Sequence, residues 1–120
     1  MKIAFTTSGE TLLAPLDSRF GRAPKFLLYD LEKDYYELIE NRQNLDATQG
    51  AGIQSAETVA RSGAGCLVTG HCGPKAFRVL NAAGVTVYSC GETTVADALK
   101  AFRGGALKQM ESADVEGHWI

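Results

Sequence analysis

Apolar positions fall in short β-rich runs early in the chain and recur at helical spacing later. Residues 2–6 predict a first strand, and 7–16, with Gly9 and Pro15, the loop that follows it. The β-rich runs 25–30 and 35–40 are separated by the charged turn 31–34, which makes them a hairpin. After a polar connection over 41–49, Gly50-Ala51-Gly52 opens a helix in which Ile53, Ala56 and Val59/Ala60 recur on one side, closed by Gly63. Strand and helix then alternate. Residues 66–69 predict a fourth strand. Residues 74–83 predict a helix with Phe77 and Leu80 inward and Gly84 as its stop, and 85–88 a fifth strand. Thr94-Val95-Ala96-Asp97 starts a last helix that presents Val95, Ala98, Leu99 and Phe102 on one face and ends at Gly104-Gly105.

The order β-β-β-α-β-α-β-α implies three antiparallel strands continued by right-handed parallel crossovers. The expected fold is therefore α/β: a mixed five-stranded sheet with helices on its faces, the three-layer arrangement of ribonuclease H-like folds. Ligands of open α/β sheets bind beyond the carboxyl ends of the parallel strands. Those ends are Thr7-Ser8-Gly9, Gly70-His71-Cys72-Gly73 and Ser89-Cys90-Gly91, with the Arg19–Lys25 loop as a further wall.

At 120 residues and 45% hydrophobic content, the chain suits one domain over 1–110 followed by a loosely ordered tail over 111–120. Twelve basic against 14 acidic residues give a net charge of −2, which argues against a nucleic-acid or membrane-surface partner. The distribution changes that picture locally. Between Asp17 and Asp30 stand Arg19, Arg22 and Lys25 with no acid, and between Glu57 and Glu92 stand Arg61, Lys75 and Arg78, again with none. No signal-peptide core or membrane-length apolar run is present, so a cytoplasmic protein is expected. Cys66, Cys72 and Cys90 form no C-x-x-C pair, which argues for reduced thiols over a disulfide framework or a ribbon-type zinc site.

Candidate chemistry centres on Gly70-His71-Cys72-Gly73-Pro74-Lys75. It reads as a strand-to-helix turn whose glycines allow positive φ, whose Pro74 starts a helix, and whose backbone N–H groups beside Lys75 suit an anion. A thiol and an imidazole at the tip add soft donors. Cys66 lies inside an apolar strand and reads as a small buried hydrophobe. Phe20 reads as a core plug in a loop whose arginines raise the local potential. His71-Cys72 followed by five residues and Arg78 matches the spacing of cysteine-dependent phosphatases. Pro74 removes a phosphate-binding donor, however, and a helix from Pro74 turns Arg78 away from the tip. A two-metal nuclease would need carboxylates on the first strand, and Ile3-Ala4-Phe5-Thr6 carries none.

Residues 17–26 (DSRFGRAPKF), Gly50-Ala51-Gly52, 69–77 (TGHCGPKAF), and Leu80 with Ala83-Gly84-Val85 together resemble the dinitrogenase iron-molybdenum cofactor biosynthesis family, from Met1 to about Leu107. The most specific parts are the S-x-F-G-R-A loop and the G-x-x-G-P-x-A-F turn. The resemblance implies a ribonuclease H-like fold and a protein that binds or carries a preformed metal–sulfur cluster without catalysing a reaction. The small size and the His71-Cys72 turn look most like members that hold a molybdenum–copper sulfide cluster non-covalently. Arg19 stands where the nitrogenase branch commonly has a cofactor-ligating histidine.

Under this resemblance the cluster site comprises Arg19, Phe20, Gly21, Arg22, Lys25, Gly70, His71, Cys72, Gly73, Lys75 and Cys90. His71, Cys72 and Cys90 are the candidate direct metal ligands. A cationic rim of Arg19, Arg22, Lys25 and Lys75 would hold a thiometallate anion, and cluster-donor or acceptor proteins would be its partners. The alternatives are an enzyme using Cys72 on phosphate or persulfide substrates, and an interaction module for an acidic protein.

Overall fold

In the computed structural model, which describes residues 1–41 and 51–112, six strands form one mixed sheet. They are β1 (Lys2–Thr7), β2 (Lys25–Asp30), β3 (Tyr35–Glu40), β4 (Cys66–Thr69), β5 (Thr86–Ser89) and β6 (Lys108–Gln109), in spatial order β3-β2-β1-β4-β5-β6. β1 pairs antiparallel with β2, and β2 with β3. β1 pairs parallel with β4, and β4 with β5. The helices are α1 (Ala51–Arg61), α2 (Pro74–Ala82) and α3 (Val95–Arg103).

The expected five strands are corrected to six. β6 pairs antiparallel with Tyr88 and Ser89 through two exposed polar residues, a length at which no alternation can register in a sequence. Tertiary context makes it a strand: the Met110 N–H donates to the Val87 carbonyl and the Met110 side chain is buried. β5 also begins one residue later than expected, because the Val85 N–H closes the α2 terminus on the Leu80 carbonyl.

Strand alternation divides the apolar residues into two cores. Ala4, Phe26, Leu28, Leu67 and Val87 face one way and pack with Ala56 and Val59 of α1 and Ala76 and Leu80 of α2. Ile3, Phe5, Leu27, Tyr29, Cys66 and Val68 face the other way and pack with Val95, Ala98 and Leu99 of α3. Helices thus cover both faces of the sheet. Strands buried on both sides must be apolar throughout, which explains the continuous runs in β1, β2 and β4. Gly63 and Gly84 follow α1 and α2 with φ of +88° and +80°, the left-handed stop that glycine adopts without a Cβ penalty. Of the connection and tail read from the sequence, 42–50 and 113–120 lie outside the described residues.

Candidate functional site

The chain leaves β1 for β2 on one side and returns through α1 to β4 on the other. The carboxyl ends of β1 and β4 are therefore a topological switch point, where α/β sheets open a crevice. A cleft of about 490 Å³ lies there, lined by Leu16, Ser18, Gly70, His71, Ser89, Cys90, Gly91 and Glu92. That volume falls within the roughly 300–1,000 Å³ typical of small-ligand sites.

Residues 17–19 form one wall by crossing over the end of the sheet. Leu16 packs in the α3-side core and Phe20 in the α1/α2-side core, with its ring 5.6 Å from that of Phe26. The segment between them must pass over the strand ends. The Asp17 N–H donates to the Thr6 carbonyl at 2.7 Å, and the Thr6 hydroxyl donates to the Asp17 carbonyl at 2.7 Å. Thr6 and Thr69 hydroxyls lie 3.0 Å apart in a buried hydrogen bond beneath this crossing. The Phe20 N–H then donates to the His71 carbonyl at 3.2 Å.

Gly70 makes the crossing possible. A Cβ there would stand 2.6 Å from the Ser18 carbonyl oxygen and 2.7 Å from its Cα. The expected positive φ at Gly70 and Gly73 is corrected: neither glycine is in the left-handed region, and Gly73 has φ −76° as the residue preceding α2. Close approach of backbone, not torsional freedom, is what Gly70 supplies.

The side chains singled out in the sequence do not all reach the cleft. His71 is exposed and Cys90 half-buried, and both line it. Cys72 points into the α1/α2-side core at 1% exposure, with its Sγ 3.7 Å from the Gly73 carbonyl oxygen. Phe20 is likewise a core residue. Gly73 is buried at the start of α2, and Gly21 is half-buried in the 3₁₀ turn 20–22 that packs on α1. Arg19, Arg22 and Lys75 are exposed and are not among the residues that line the cleft. Lys25 is paired, its Nζ 3.1 Å from Glu10 Oε1, so the stretch without acids in sequence receives one in space.

Leu16, Ser18, Ser89, Gly91 and Glu92 line the cleft without having been singled out as ligand contacts. Ser89 and Gly91 were legible as a strand end and Ser18 as the neighbour of Arg19. Leu16 and Glu92 carry no chemical signal in the sequence. Gly9, by contrast, belongs to a strand end that is sealed. The Thr7 hydroxyl donates to the Pro15 carbonyl and accepts from the Gly9 N–H, folding the loop back on itself.

Burial pushes the Cys90 thiol above its ordinary range, as it does Cys66 on the α3 side, so both are neutral thiols near pH 7. Among the described residues, no group of three or more His, Cys, Asp or Glu side chains is arranged to hold a metal ion. The cleft can accept a guest through backbone, hydroxyl, imidazole and thiol contacts, and Glu92 is the one acid among its lining residues.

Residues 1–105 match the family described as dinitrogenase iron-molybdenum cofactor. An uncharacterized protein of Methanocaldococcus jannaschii is 31% identical over 114 residues, covering 92% of each chain. The apo form of the orange protein from Desulfovibrio gigas superposes with a TM-score of 0.90 at 38% identity, covering 95% of this chain and 96% of that one. A Thermotoga protein described as a candidate NifB protein superposes at 0.83 with 32% identity, covering 97% and 98%. Among the described residues no helix is long and apolar enough to cross a membrane.

Proposed function

The chain belongs to the dinitrogenase iron-molybdenum cofactor family, and from that premise we propose that it binds a molybdenum-containing metal–sulfur cluster, of the molybdenum–copper sulfide type, as cargo. The resemblance implies such a cargo for its nearest-looking members, and the high similarity to the orange protein supports carrying it over. In this reading the three layers are a ribonuclease H-like fold and residues 1–110 act as one binding domain that performs no chemistry on the cluster.

The observation that carries the proposal is the cleft at the switch point, with His71 and Cys90 on its walls and Arg19 beside it. A thiometallate is anionic, with weakly hydrated sulfide faces. Arg19, Arg22 and Lys75 supply positive potential, while Gly70, Gly91 and the Ser18 and Ser89 hydroxyls let backbone and small polar groups approach the sulfides. Binding is then mainly electrostatic and by contact. The buried position of Cys72 is at odds with a nucleophilic thiolate there.

Reconstitution with tetrathiomolybdate and a copper salt tests this. Visible charge-transfer bands should travel with the protein on gel filtration, and Arg19→Ala with Lys75→Ala should weaken uptake several-fold. Absence of protein-bound colour would end the cluster reading.

A further inference from the structure

β3 is an outer strand with β2 as its one neighbour among the described strands, and its six residues pair with β2 in an unbroken register. A free strand edge is a template for another chain, and proteins blunt such edges by short length, bulges, proline, lysine or a covering segment. The opposite edge is blunted: β6 has two residues, one of them Lys108. β3, by contrast, reads Tyr-Tyr-Glu-Leu-Ile-Glu with no proline, lysine or bulge, and Tyr35 and Leu38 are 62% and 38% exposed.

The register fixes which backbone groups are free. The Asn41 N–H donates to the Pro24 carbonyl, which continues the Glu40–Lys25 pairing by one step. Antiparallel ladders alternate, so Tyr35, Glu37 and Ile39 also turn their N–H and C=O groups toward β2. Tyr36, Leu38 and Glu40 therefore aim theirs away from the sheet. The side chains of these three share the α3-side face with their partners Tyr29 and Leu27, while Glu37 stands on the other face. Neither Glu37 nor Glu40 is in an ion pair among the described residues, and Lys25, opposite Glu40, is taken by Glu10.

Charge selects the occupant. In antiparallel self-pairing about a two-fold axis, residues that meet share a face, so only positions of like parity can face each other. The registers of greatest overlap then set Glu37 directly against Glu37 of the second copy or on a diagonal to it. Both gather the two glutamates of each strand with no base between them, an arrangement that like charges disfavour. A strand carrying bases has the opposite sign at the same positions.

We propose that β3 takes up an extended basic segment of a partner protein as a further antiparallel strand. The segment has the pattern Lys/Arg-x-apolar-Lys/Arg. Its first base lies opposite Glu40, its apolar residue opposite Leu38 and its second base opposite Glu37, while its backbone bonds Tyr36, Leu38 and Glu40. β2 and β1 separate this edge from β4, so it is a second surface and not part of the cargo cleft.

The test titrates the full chain with a blocked peptide, Thr-Lys-Thr-Val-Lys-Val-Thr, whose lysines and first valine match those three positions. Amide resonances along β3 should shift. The Tyr36, Leu38 and Glu40 amides should gain protection from exchange, while those of Glu37 and Ile39, already turned to β2, stay as they are. The double variant Glu37→Lys, Glu40→Lys, its fold checked by circular dichroism, should bind at least about tenfold more weakly. N-methylation of the valine opposite Leu38 removes its donor and should abolish binding. Failure of the wild type to bind the basic peptide, equal binding of a counterpart with glutamates for lysines, or shifts confined to the cleft each overturn the proposal. Self-association of the chain that protects the same three amides also overturns it, and gives the edge to a second copy.

Discussion

A methyl group at position 70 would meet two backbone atoms of Ser18 below 3.0 Å, and backbone cannot swing aside as a flexible side chain can. Gly70→Ala should therefore displace the 17–19 crossing, cost about 1–3 kcal/mol in denaturant unfolding, and impair cluster uptake more than global stability alone explains. Cys72 predicts the opposite pattern. Its side chain is buried in the core cluster that also holds Phe20 and Ala76, so Cys72→Ala should cost on the order of 1 kcal/mol while uptake stays at the wild-type level. An unfolding curve and a gel-filtration uptake assay on each variant separate the two. At this scale the sequence marked a turn that borders the cleft and left open which way its side chains point. A glycine looks the same whether it serves a torsion or a close approach, and a cysteine in a turn does not reveal which way its Sγ points.

Among the elements, the β2–β3 hairpin is tied to the end of α3 by three side chains. The Tyr29 hydroxyl donates to Asp34 Oδ1 at 2.8 Å, Arg103 Nη2 donates to the same oxygen at 2.9 Å, and the guanidinium lies 5.6 Å from the Tyr29 ring centroid. The Tyr29 hydrogen bond and then Arg103 hold the Asp34 carboxyl below its ordinary range. A carboxyl whose pKa is lowered by folding contributes stability that is full above its unfolded value and is lost as pH falls through the lowered one. Asp34→Asn should accordingly lower the urea midpoint at neutral pH, and its gap from wild type should close in acid. A gap independent of pH would contradict the charge-based account.

The α3 start was legible because its signal is local: the Thr94 hydroxyl accepts from the Asp97 N–H at 3.1 Å, the cap that its sequence announces. β6 was not, because its strand character comes from pairing with β5.

For the whole molecule, net charge says little and its placement says more. Arg19 and Lys75 lie 56 positions apart by number (75 − 19), yet the Arg19–His71 bridge brings their segments to one rim. If that rim attracts an anionic cargo, uptake should weaken as ionic strength rises and the screening length shrinks from about 10 Å at 0.1 M to about 3 Å at 1 M. An affinity indifferent to salt would shift the weight to contact and ligation in the cleft. Glu92 belongs to the same balance, and Glu92→Gln should tighten binding of tetrathiomolybdate alone by removing a negative charge from the cleft wall.

By itself the sequence determined the three helices, the first five strands and their order, because apolar runs, helical spacing, caps and glycine stops act over a few residues. It also located the switch-point rim, since crossover handedness leaves few ways to arrange these strands. Only the tertiary structure decided which side chains face the cleft. It sends Cys72 to the core, pairs Lys25 with Glu10, and brings Leu16 and Glu92 to the walls. The physical reason is that side-chain direction at a turn depends on where the backbone crosses the sheet end. That crossing is fixed by long-range contacts, above all Ser18 lying against Gly70.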